Sequence, residues 1–110
     1  MKIVAAIIRS EQLPAVKQAL FDVEFRNITA SAVMGTAPQS EQRMFRGVKR
    51  EVSLFPRVRL EIAVTEDQVE SAIKAISKGA RETGGWGRIM VTPLDKMVTI
   101  WKDEYATQDS

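Results

Sequence analysis

The chain has 110 residues, 45% hydrophobic and 27% charged, with 16 Lys and Arg against 14 Asp and Glu for a net charge of +2. This is one core's worth of ordinary globular composition, which argues against disorder of the whole chain, and so mild a charge makes no case for nucleic acid. The absence of Cys and His excludes disulfides, Cys nucleophiles, thiolate or imidazole metal sites and a Ser-His-Asp triad, and it fits a cytoplasmic protein.

No apolar run approaches the roughly 18 residues of a membrane helix, so the chain is not expected to be membrane-embedded. The opening MKIVAAIIRS reads as a strand rather than a signal peptide. Its run over 2–9 is rich in β-branched residues and suits a strand covered on both faces. Ser10 and Glu11 then open a helix with Pro14 in its first turn, where a missing N–H costs little. Leu13, Val16, Leu20 and Val23 form its apolar stripe, and the helix ends near Val23.

Residues 26–34 read as a second strand with Ile28, Ala30, Ala32 and Met34 on one face, Met34 filling core. Residues 35–55 hold no sustained period and contain Gly35, Pro38 and Gly47. A loop this long inside a compact domain is functional or disordered, and residues 48–54 are open to being a hairpin arm of the next strand. Residues 57–64 alternate cleanly, with Val58, Leu60, Ile62 and Val64 facing one way and Arg57, Arg59 and Glu61 the other. Thr65 to Gln68 match a capping box. Val69, Ala72, Ile73, Ile76 and Ala80 make the stripe of a second helix, with Gly79 near its end. A glycine-rich turn (82–88), a strand (88–94) and a short strand (97–101) follow, and the polar tail is expected to fray. The order is that of an α+β, ferredoxin-like βαββαβ sandwich, with four antiparallel strands and both helices on one face.

These elements, taken together, resemble the P-II signal-transduction family across about residues 1–104. The resemblance is carried by the opening KIVAAIIR and its helix, Thr29 six residues before Gly35, FRGVKREVSLFPRVRLEIAV (45–64), GGWGRIMV (84–91) and the short MVTIW strand. It implies a single domain over 1–110 with a T-loop at about 36–54, a B-loop at about 82–88 and a polar tail at about 102–110. It implies a cytoplasmic homotrimer that binds an adenine nucleotide (ADP, AMP or ATP) in clefts between subunits, in many members with magnesium and 2-oxoglutarate. The T-loop would regulate a membrane transporter or metabolic enzyme. Cleft residues carried over by position are Thr29, Gly35, Gln39, Arg57, Glu61, Gly85, Gly87 and Arg88; no catalytic and no metal-ligating residue is implied. Arg57 and Arg88 stand where members usually carry Lys; either holds a phosphate, Arg as a fork and Lys as a point charge.

The departures are specific. Trp86 stands where the B-loop usually has an acidic residue, open to stacking on an adenine or anchoring an interface. Thr99 and Trp101 replace two phosphate-reaching arginines, each worth about 1.5–3 kcal/mol as a charge-assisted bond. Ala37 replaces a glycine, and Arg50 replaces the tyrosine that some members carry for uridylylation. Fewer phosphate contacts shift the expected preference toward ADP or AMP. Arg43, Phe45, Arg46, Lys49 and Arg50, an interleaved basic and apolar set, are the expected partner-docking residues. Two alternatives stay open: an adaptor with no nucleotide role, and a small acylphosphatase-like enzyme using Arg9 and Asn27.

Overall fold

The computed structural model describes residues 1–36 and 53–101, and the backbone of 104–105. The T-loop positions Gln39, Arg43, Phe45, Arg46, Lys49 and Arg50 lie outside the described residues. In chain order the elements are β1 (Lys2–Ile8), α1 (Leu13–Asp22), β2 (Thr29–Thr36), β3 (Leu54–Val64), α2 (Val69–Glu82), β4 (Arg88–Pro93), β5 (Val98–Thr99) and β6 (Glu104–Tyr105). The first four strands form one antiparallel sheet in the order β2-β3-β1-β4. This is the ferredoxin-like sandwich expected from the element order.

Register explains the core. On β1, Val4 sits between Ile62 and Val91, and Ala6 between Leu60 and Ile89. Val4, Ala6, Leu60 and Ile62 of that row, continued by Ile8 and Val64, bury against Val16, Ala19 and Leu20 of α1 and Ala72, Ala75, Ile76 and Ala80 of α2, whereas Val91 at the sheet edge is exposed. Period two on the strands and period 3.6 on the helices meet in one apolar layer. The opposite sheet face carries Ile3, Ala5 and Ile7 of β1 beside Arg59 and Glu61 of β3, which form an ion pair at 3.3 Å.

Gly79 stands near the end of α2, as expected, for a reason of packing. It lies inside α2 and is buried, and a Cβ there would come within 2.6 Å of the Val16 Cα and 2.8 Å of the Ala15 carbonyl oxygen. It is a glycine because the backbones of α1 and α2 touch at that point.

Several expectations are corrected. Val23 is 44% exposed, and Ala19 takes its place in the α1 stripe. β2 starts three residues and stops two residues later than expected, and Met34 is 58% exposed rather than core. Met34 pairs with exposed Pro56 on an edge strand, beyond the part of β3 that the helices cover. β5 is only Val98–Thr99, leaving Ile100 and Trp101 88% and 84% exposed. The start of the tail pairs instead of fraying: Val98 faces Tyr105 and Thr99 faces Glu104.

Candidate functional site

The site is built on the turn from α2 into β4. Thr83 closes α2 by donating its hydroxyl to the carbonyls of Gly79 at 2.7 Å and Ala80 at 3.3 Å. The Gly85 N–H donates to the Ala80 carbonyl at 2.8 Å. Gly84, Gly85 and Gly87 all have positive φ, at 105°, 72° and 136°. An L side chain is strained there, and at Gly87 it would also meet the Ile7 carbonyl oxygen at 2.8 Å.

A residue that the sequence reading missed ties this turn down. Gln12 is fully buried. Its Nε2 donates to the Ala80 carbonyl at 3.2 Å and the Trp86 carbonyl at 2.8 Å, and its Oε1 accepts the Arg9 N–H at 2.8 Å. A buried side-chain amide with three partners is satisfied and rigid. The turn is therefore held from the start of α1, at the far end of the sequence.

The paired ends of β2 and β3 supply the opposite wall. Arg57 is 8% exposed and donates Nη1–H to the Pro56 carbonyl at 2.9 Å. Its Cζ lies 4.5 Å from the centre of the Trp86 ring and 5.6 Å from that of Phe55. The Arg9 Cζ lies 5.3 Å from the Trp86 ring. Such a contact is worth about 2 kcal/mol where the cation is desolvated. Between the two walls is a cavity of about 400 Å³.

That cavity gathers five of the eight cleft residues, Gly35, Arg57, Gly85, Gly87 and Arg88, with Trp86 beside them. Arg88 is exposed and Arg57 buried. Thr29 and Glu61 face each other across the β2–β3 ladder and line a second cavity of about 590 Å³, together with Thr99 and Trp101. Gln39 lies outside the described residues. Six steps of extended strand, roughly 20 Å, separate Thr29 from Gly35. The two cavities thus lie at opposite ends of β2.

The pair considered for acylphosphatase chemistry is split in the same way. Arg9 stands by the Trp86 ring, whereas Asn27 lines the second cavity beside Ile3. A pKa shift is clear at Asp67, away from both cavities. The Thr65 hydroxyl, donating at 2.6 Å, and the Asp67 backbone hold its carboxyl below the ordinary value of 3.8.

The chain is thus a ferredoxin-like sandwich whose glycine turn faces the paired ends of β2 and β3 across one cavity. The model of the family "Nitrogen regulatory protein P-II" matches residues 1–104, and the chain belongs to that family. It is 35% identical over 108 residues to the nitrogen regulatory protein GlnK1 of Methanosarcina mazei, covering 94% of this chain and 92% of that one. It is 37% identical over 103 residues to the nitrogen regulatory protein P-II of Azospirillum brasilense, covering 91% of each. To the nitrogen regulatory protein GlnK of Escherichia coli it is 32% identical over 103 residues, again covering 91% of each. Among the described residues no helix is long and apolar enough to cross a membrane.

Proposed function

We propose that this P-II family member is a cytoplasmic sensor of a small anionic metabolite, an adenine nucleotide in the first instance, that regulates a transporter or enzyme through its T-loop. The observation that carries this is the convergence of Gly35, Arg57, Gly85, Gly87 and Arg88, from three separate elements, on one cavity. Glycines at positive φ bring backbone N–H groups close to an anion, and an exposed guanidinium beside them adds charge. The base and ribose would meet Thr29 and Glu61 of a second copy, since in one chain these lie roughly 20 Å from the anion seat. Half-buried Ile3 and Ile7 on the sheet face away from the helices favour that self-association, here taken as a homotrimer, and unpaired strand edges add to it. The described lining of the cavity contains no carboxylate that would ligate magnesium.

Calorimetric titration with ATP, ADP and AMP, with light scattering for the assembly, tests the reading. Arg88→Ala is expected to weaken nucleotide binding by about tenfold, the worth of one charge-assisted hydrogen bond. Absence of heat with all three nucleotides would defeat it. The adaptor reading would then take its place, favoured by one observation: Trp101, at a position where the family resemblance places a phosphate-reaching arginine in other members, stands 84% exposed.

A further inference from the structure

We propose that Trp86 sets the ligand class of the anion cavity by clamping Arg57, so that the seat takes a ligand presenting one phosphate group and disfavours a polyphosphate chain. The inference rests on the reading that this cavity holds the anionic ligand. Two cations line the cavity among the described residues, Arg57 and Arg88. They are in opposite states. Arg88 is exposed, at the start of β4. Arg57 is 8% exposed, lies 4.5 Å from the Trp86 ring and 5.6 Å from the Phe55 ring, and donates to the Pro56 carbonyl.

A guanidinium held in this way would leave an aromatic face and a hydrogen bond to reach a ligand. It positions the turn instead. The ring it holds belongs to the residue between Gly85 and Gly87, and Gln12 fixes that residue's carbonyl from below at 2.8 Å. Arg9, 5.3 Å from the same ring, adds a second cation to the clamp. Trp86 is therefore fastened by backbone and by side chain, and the exposed charge facing the cavity is that of Arg88. One guanidinium and a short stretch of loop backbone match a single phosphate. A di- or triphosphate would place its further charges where Arg57 is turned into the aromatic stack.

The experiment measures affinity for AMP and for ATP, with and without magnesium, in the full-length chain. The wild-type protein is expected to bind AMP about tenfold more tightly than ATP, the difference of one cation's engagement. Trp86→Leu releases Arg57, and the preference moves toward ATP by about the same factor. Adding Arg57→Gln to Trp86→Leu removes that gain, a coupling that a double-mutant cycle reads directly. In the wild-type background, Arg57→Gln changes both affinities by a common factor and leaves their ratio intact.

The proposal is overturned if wild-type protein prefers ATP, or if Arg57→Gln alone costs ATP more than AMP, since Arg57 would then already hold the outer phosphates. A ligand-free readout separates the two levels of failure. With Trp101→Phe, Trp86 is the remaining tryptophan of the two in the chain, and Arg57→Gln is expected to shift its fluorescence emission. No shift overturns the clamp whatever binds. A shift with no nucleotide binding in any variant defeats the nucleotide reading and the selectivity built on it, while the clamp itself is upheld.

Discussion

Both helices begin with the same local device, and the two copies have different reach. In each, a strand ends, a single 3₁₀ turn follows, and a glutamine three residues on turns its Oε1 back to a backbone N–H: Gln12 to Arg9 at 2.8 Å and Gln68 to Thr65 at 2.9 Å. Gln68 is half-buried and serves its own helix. Gln12 is fully buried, and its second polar atom reaches the Ala80 and Trp86 carbonyls. The difference teaches that a cap gains long-range reach when the tertiary fold brings further carbonyls to its unused end. In the first half of this chain it delivers the end of α2 and the glycine turn.

The sharpest way to break this comparison is to remove both amides in turn. Gln12→Ala loses three hydrogen bonds and leaves two carbonyls without that donor, so urea unfolding is expected to show a loss of about 3–5 kcal/mol. Gln68→Ala removes a helix cap alone, and about 1 kcal/mol is expected in the same assay. Equal losses would show that the long-range bonds of Gln12 add nothing to its cap.

The smallest effect sharpens the comparison from the Gln68 side, where Asp67 accepts the Thr65 hydroxyl. Its folded-state pKa lies below the ordinary 3.8, so its contribution is present at higher pH and is lost as pH falls through the folded value. Asp67→Asn is expected to flatten the acid limb of a stability–pH curve below about pH 4 and to leave neutral pH nearly unchanged. A mutant curve as steep as wild type would place the acid sensitivity elsewhere.

What was legible in the sequence was what local pattern controls. Val58 to Val64 alternate because one strand face is buried, and Thr65 with Gln68 spells a cap in four residues. Gln12 was illegible for the converse reason: its partners lie 68 and 74 residues away. The bounds of β2 slipped because Ala30, Ser31 and Ala32 are too small to mark an inside, and all three are exposed. For the site, family position named Gly35, Arg57, Gly85, Gly87 and Arg88, and these line one cavity. It gave no sign that Arg57 would meet Trp86, because that contact joins two elements with no shared period. The place of Gly79 near the end of α2 was legible, but its reason, the touching backbone of α1, was not, because that contact is not local.

The place of β1 at the middle of the sheet has a consequence for how the protein is made. A ribosome delivers β1 first, yet its two neighbours begin only at Leu54 and Arg88. At about 5–20 residues per second, the second neighbour follows several seconds later. Until then KIVAAII is a nascent apolar, β-prone segment with both edges open, the kind that pairs with other chains. Lys2 opens it and Arg9 follows it, and charges so placed act as gatekeepers that hold a waiting strand apart from its neighbours during synthesis.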